Sequence, residues 1–181
     1  MPRNLLVTGP PRSGKTTAIE RTVDRLESAD LTVGGVVCPE IRTDGERVGF
    51  AIENVRGGER ATLAHVDRDS GPSVGKYRVD VAAVDDLCGR ALPRAVESAD
   101  GVVVDEIAPM EVVSDVFVRG VRAAMDADVP VVAAVHYRSE SGFAGEVKAR
   151  DDADLFEVSP ETRDDLPAEL AGRVHEWVRP R

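Results

Sequence analysis

Apolar positions along this chain follow two periods that alternate from one end to the other. Leu5-Leu6-Val7 is a short continuous run, and after it Ile19, Val23 and Leu26 recur at spacings of four and three. The first pattern predicts a strand, the second a helix from Thr17 to about Ala29 with one apolar stripe turned to a sheet. Leu31 to Cys38 reads as another strand, in which Gly34-Gly35 suits a bend or a close backbone approach. Glu40, Arg42 and Asp44 lie at its polar end, and Asp44-Gly45 is a tight-turn signal. Val48, Phe50, Ile52 and Asn54-Val55 again have strand character, and Gly57-Gly58 turns the chain toward Ala61 to Val66. This spacing predicts antiparallel strands or a hairpin before the next parallel-sheet unit, in place of an unbroken strand–helix–strand repeat.

Asp67 to Asp80 reads as a polar loop containing Gly71-Pro72 and Gly75-Lys76. A helix follows from Val81, with Val84, Leu87, Cys88 and Ala91 on one side and Pro93 placed to bend or divide it. Gly101 to Val104 predicts a buried parallel strand closed by Asp105-Glu106. Val113, Phe117, Val121 and Met125 mark an amphipathic helix, and Val131 to Val135 a strand ending at His136. Arg138 to Asp154 predicts a short helix and loop, and Leu155 to Val158 a last strand. Ser159 and Pro160 suit an N-cap and first helical position. Leu166, Leu170, Val174 and Val178 continue at four-residue intervals, with a break expected at Pro167.

The chemistry begins where the first strand meets the first helix. Gly9-Pro10-Pro11-Arg12-Ser13-Gly14-Lys15-Thr16 has the spacing G-x-x-x-x-G-K-T, and Thr17 continues it into the helix. Small residues let successive backbone N–H groups turn around an anion, and the helix N-terminus adds its positive end. Lys15 is suited to β- and γ-phosphates and Thr16 to Mg²⁺. The alternative, a Gly/Pro-rich turn with an incidental lysine, does not account for strand, loop and helix arriving in that order. The loop predicts a nucleotide-binding protein.

Composition narrows the class. The 181 residues suit one α/β domain spanning residues 1–181. No apolar run of 18 residues and no signal-like start is present, which predicts a soluble, cytoplasmic protein with no membrane partner. A formal charge of −10 argues against a nonspecific grip on nucleic acid. With lysine only at Lys15, Lys76 and Lys148, that acidity suits a surface adapted to high intracellular salt. Cys38 and Cys88 lack metal-ligand spacing and read as buried thiols.

Asp105 and Glu106 are costly inside an apolar core unless paired. At the end of a parallel strand they instead meet the phosphate loop, where ligands of such sheets gather. Asp105 then suits Mg²⁺ held through water, and Glu106 suits orienting or deprotonating an attacking water; solvated strand ends are the bland alternative. Glu111 suits either a water behind the metal or a helix cap. His136 is either a sensor at a strand end or a hydrogen-bonded neutral histidine. Lys76, Arg78, Arg138, Lys148 and Arg150 compete as the cation that phosphoryl transfer needs, against a surface ion-pair role for each.

Several separated stretches then converge. GPPRSGKTT at 9–17, VGG and PEIR within 33–42, RVGF at 47–50, VGKYRVD at 74–80, VDEIAPME at 104–111, VH at 135–136 followed by Arg138, and SPETRDDLP at 159–167 closely resemble a family of small P-loop nucleoside-triphosphatases. That family is found in thermophiles, archaea and animals and includes the cancer-related nucleoside-triphosphatase. The resemblance implies a three-layer α/β/α fold with a mostly parallel central sheet and an antiparallel hairpin insertion. It implies Mg²⁺-dependent hydrolysis of nucleoside triphosphates with broad base specificity. The phosphate-loop roles fall on Gly9 to Thr16 and the acidic strand-end roles on Asp105 and Glu106; Lys76, Glu111, His136 and Arg138 are marked without settled roles. Three positions depart from the family pattern: Arg12 and Ala108 stand where glycine is usual, and Tyr137 separates His136 from an arginine. The alternatives are a nucleotide or small-molecule kinase and a nucleotide-dependent regulatory module.

Overall fold

A computed structural model describes residues 2–179. The described residues form one mixed sheet of ten strands with helices on both faces. Its parallel half is β10 (Ala153–Glu157), β1 (Asn4–Thr8), β9 (Val131–Val135), β8 (Gly101–Ile107) and β2 (Val33–Val37), in that order across the sheet. All four neighbouring pairs among these five strands are parallel.

Strand alternation builds the two layers. Leu6, Val102, Val104, Val131 and Ala133 join the core under α2 (Val81–Ser98) and α4 (Asp115–Asp126). Leu5, Val7, Val103, Val132 and Ala134 face the other way, against α1 (Lys15–Ser28) and α6 (Leu166–Val178). The expected stripes are the buried ones: Ile19 and Leu26 on α1, Val84, Leu87, Cys88 and Ala91 on α2, and Phe117, Val121 and Met125 on α4. Gly34 and Gly35 are required by packing. A side chain at Gly34 would meet Ala95 at 2.7 Å, and one at Gly35 would run into the Val103 carbonyl.

Beyond β2 the sheet turns antiparallel and is larger than a single hairpin. β4 (Glu46–Asn54) pairs with β2, with β5 (Arg60–His65) and with β3 (Glu40–Thr43); β7 (Tyr77–Val79) and β6 (Ser73–Val74) complete this wing. Two stretches read as loop or strand end are therefore strand: Glu40–Thr43, a polar edge strand, and the hairpin inside 67–80. Pro93 neither ends nor divides α2, which runs through it. Pro167 opens α6 instead of breaking it, since a first-turn proline has no intrahelical N–H to lose. Ser159 and Pro160 do not start a helix; Thr162 ties that segment as a turn, donating to the Glu157 carbonyl at 2.9 Å and accepting from the Ser159 N–H at 2.9 Å. Among the described residues, no helix is long and apolar enough to cross a membrane.

Candidate active site

Parallel strands deliver their carboxyl ends to one edge, and four of them meet there. β1 ends at Thr8, whose hydroxyl donates to the Val135 carbonyl at 3.0 Å and fixes the loop entry against β9. The loop then closes on itself, with Ser13 N–H donating to Pro10 O at 3.1 Å. Gly14 caps α1 at φ 102, a left-handed conformation suited to glycine, so the helix starts at Lys15. Gly9 is packed too closely for a side chain, whose first carbon would sit 2.6 Å from Ser13 Oγ. That Ser13 oxygen is itself buried and has no hydrogen-bond partner, as expected of a donor facing an anion site.

The acids of β8 arrive at the same edge through an irregularity. Val104 and Ile107 of β8 face Ala133 and Val135 of β9, so three steps on one strand oppose two on the other. The extra residue re-aims the chain at Asp105 and Glu106, the usual work of a bulge beside a site. Glu106 Oε2 lies 3.3 Å from Lys15 Nζ, with side-chain exposures of 29% and 14%. This is a charge contact without hydrogen-bond geometry, since the same Glu106 oxygen lacks a hydrogen-bond partner. Burial lifts the Asp105 carboxyl to about 6; a hydrogen bond from Thr16 and the Lys15 charge pull it down, while Glu106 and Glu20 push it up.

Glu111 sits on the short helix α3 (Pro109–Val112), buried, and its Oε2 has no partner. Burial first, and then the charge of Glu106, raise it well above the usual carboxylate range. Half-buried Cys38 follows β2, whose Val37 faces Asp105. Its thiol is pushed up by burial and by Glu111 and Asp105. His136 extends β9; its N–H donates to Ile107 O at 3.0 Å, and its Nδ1 shares a 2.8 Å hydrogen bond with Ser139 Oγ.

One cavity of 1210 Å³ connects these groups. Pro11 to Thr17, Asp105, Glu106, Glu111 and His136 line it; Gly9 and Pro10 shape the loop without lining it. Of the competing cations only Lys76 is on its wall. Arg138 is exposed and off the lining. Arg78 donates to Gly71 O at 3.0 Å, Lys148 holds the carbonyls of Tyr137 and Ser139 at 3.1 and 2.8 Å, and Arg150 pairs with Asp126 and Asp152 at 2.8 Å each. The wing adds Glu40, Arg42, Arg47 and Phe50, which the sequence alone does not mark as site residues. Their signal lay in PEIR and RVGF, and in the alternation that puts Glu40 and Arg42 on one face of an edge strand.

The departures from the family pattern now have a structural meaning. Arg12 adopts φ 64, a left-handed conformation that the glycine expected there from the resemblance would take without strain. Ala108 is extended at φ −144, where a side chain is unstrained. Tyr137 and Arg138 are both exposed after β9, so the inserted residue leaves the strand end itself undisturbed.

A family model described as NTPase matches residues 4–171. The nucleoside-triphosphatase THEP1 of Thermofilum pendens is 42% identical over 177 residues, covering 97% of each chain. That of Methanopyrus kandleri is 40% identical over 182 residues, covering 100% of both. The crystal structure of THEP1 from Aquifex aeolicus superposes with a TM-score of 0.84 at 30% identity, covering 94% of this chain and 98% of that one. The solution structure of a human cancer-related nucleoside triphosphatase gives 0.79 at 29% identity, covering 96% and 98%. With the loop, the acid pair and the cavity between them, these matches make the chain an enzyme of the nucleoside-triphosphatase family to which the THEP1 proteins belong.

Proposed function

We propose that this nucleoside-triphosphatase cleaves the β–γ bond of Mg²⁺-bound nucleoside triphosphates with little regard for the base, as one catalytic unit over residues 1–181. The observation that carries the reading is the 3.3 Å approach of Lys15 and Glu106 across one cavity, at the mouth of the Gly14-capped helix. Loop N–H groups and Lys15 hold the β- and γ-phosphates, and Glu106 orients the attacking water and takes its proton. Thr16 and Asp105 fit Mg²⁺: both offer hard oxygen donors at one wall, and two protein ligands suffice for an ion that keeps waters and substrate phosphates around it. When bound, that ion neutralises charge on the β- and γ-oxygens. His136 faces the same space and suits contact with the γ-phosphate. Broad specificity is favoured because the anchoring groups address phosphates, which every nucleotide shares.

The test is product-resolved turnover of ATP, GTP, CTP, UTP and TTP, with Mg²⁺ and with EDTA. Equal release of diphosphate and phosphate from all five, lost on chelation and restored by Mg²⁺, is expected. Turnover insensitive to EDTA, or confined to one base, would refute the proposal.

A further inference from the structure

The cavity extends past the loop and the acids to the wing. Its 1210 Å³ exceeds the roughly 300–1,000 Å³ of a pocket built for one drug-sized molecule. Across the sheet the order is β1 with the phosphate loop, β9, β8 with the acids, β2, and then β4 of the wing. The wing therefore lies across the acids of β8 from the loop that holds the phosphates.

Two independent features are found on that side. Arg42, Arg47 and Lys76 line the wing end against Glu40 and Glu46, three cations to two carboxylates in a chain of formal charge −10. Arg42 and Arg47 share Glu40, at 2.8 and 3.3 Å, and Arg47 is further oriented: its Nε donates to Tyr77 Oη at 2.9 Å, and its guanidinium lies 5.2 Å from the Phe50 ring centroid. The second feature is Glu111, 4% exposed and on the cavity wall, whose Oε2 has no hydrogen-bond partner. The Cys38 thiol serves the Glu111 carboxyl, and the Oε2 left without a partner calls for one from a ligand. Water attack at Glu106 uses neither feature.

We propose that the wing end of the cavity is an acceptor subsite for a small phosphomonoester, to which the enzyme transfers the γ-phosphoryl group as well as to water. Arg42, Arg47 and Lys76 pair with the acceptor's phosphate, Phe50 supplies an apolar wall, and Glu111 Oε2 shares a hydrogen bond with the acceptor. An acceptor oxygen bonds to the γ-phosphorus while the bond from that phosphorus to the β–γ bridging oxygen breaks. The electron pair leaves with the nucleoside diphosphate. A hydroxyl acceptor passes its proton to Glu106 as water does, and a phosphate oxygen has none to pass. The proposal rests on a triphosphate occupying the loop as described above.

The experiment offers wild-type enzyme γ-phosphate-labelled ATP and Mg²⁺ with AMP, CMP, ribose 5-phosphate or glycerol 3-phosphate, and separates the products. In parallel, the same four compounds are titrated into enzyme loaded with Mg²⁺ and a non-hydrolysable ATP analogue. We expect label in an organic product, and one further binding site per chain that appears only in the loaded enzyme. Arg42→Ala/Arg47→Ala, checked for folding by circular dichroism, lowers the ratio of transfer to hydrolysis at least tenfold, and Lys76→Ala shifts it in the same direction. Preference for the nucleotides over the sugar phosphates, or the reverse, identifies the acceptor's source. Intact ATP hydrolysis with no second site for any of the four at millimolar concentration overturns this proposal alone. Failure of the loaded enzyme to hold the ATP analogue overturns the loop reading beneath it.

Discussion

Replacing Glu106 with Gln should move turnover and affinity in opposite directions. The amide keeps the size of the side chain but removes the carboxylate that takes a proton from water. Loss of a general base costs about 10²–10⁴ in kcat, equivalent to about 2.7–5.4 kcal/mol of barrier. The ground-state effect comes from the ion pair. Lys15 Nζ lies 3.3 Å from Glu106 Oε2 in the nucleotide-free enzyme, so the carboxylate competes with phosphate for the ammonium group. The contact is partly exposed and lacks hydrogen-bond geometry, which limits it to about 1 kcal/mol or less. Its release in Glu106→Gln should tighten binding of a Mg²⁺–ATP analogue by up to about fivefold. Isothermal titration gives the affinity, and single-turnover phosphate release gives the chemical step. Unchanged cleavage, or affinity lost in proportion to rate, would refute the reasoning; the first result would shift the base to another group, and the second would make Glu106 a binding residue.

Lys15→Ala should weaken nucleotide binding by about 1.5–3 kcal/mol, the scale of a charge-assisted hydrogen bond, while circular dichroism and the thermal midpoint stay near wild type; a folded variant with wild-type kcat/KM would remove Lys15 from the site. Arg12→Gly should raise stability, because φ 64 costs a non-glycine residue about 1–2 kcal/mol and glycine returns about 0.5–1 kcal/mol as entropy. The net gain is a midpoint shift of about 1–3 °C by calorimetry, and a lower midpoint would count against the strain. Glu111→Gln tests burial through pH. Burial raises the folded-state pKa of Glu111 above its unfolded value, so its favourable contribution is complete below the unfolded value and is lost as pH rises through the folded one. The metal-free variant should therefore gain on wild type in unfolding midpoint between pH 4 and 8, and a constant difference across that range would exclude the effect.

Legibility in the sequence followed the range of the forces involved. The loop at 9–16 and the run 101–104 were readable because both depend on neighbours in the chain: small residues before a helix, and apolar residues buried on both faces of a strand. The acids at 105–106 were readable as misplaced charge, which only a ligand or a partner explains. The wing was harder. Ser73–Val74 and Tyr77–Val79 are too short to display a period, and Glu40–Thr43 is a polar edge strand whose partner β4 lies across a turn. Pro167 and Pro93 suggest breaks from sequence alone, although a proline's effect depends on where the helix begins and on what its packing tolerates. Nothing local told that Lys76 reaches the cavity while Arg138, Lys148 and Arg150 do not, because the sheet order that decides it is tertiary.

Stability and function are opposed at this edge of the sheet. Six buried side-chain atoms among the described residues lack a hydrogen-bond partner, and Ser13 Oγ, Glu106 Oε2 and Glu111 Oε2 all belong to residues lining the cavity at the phosphate loop. Each such atom costs about 1–3 kcal/mol when nothing satisfies it, and burial and neighbouring charge destabilise the ionised carboxyls of Asp105 and Glu111 further. An apolar strand end would fold more stably but could neither hold phosphate nor take a proton from water. Groups left unsatisfied in the free enzyme find partners in the bound one, so ligand binding adds to folding stability through the same atoms. Saturation a hundredfold above Kd contributes about 2.7 kcal/mol by mass action. The acids at the end of β8 therefore hold stability in reserve, and it is released when the substrate arrives.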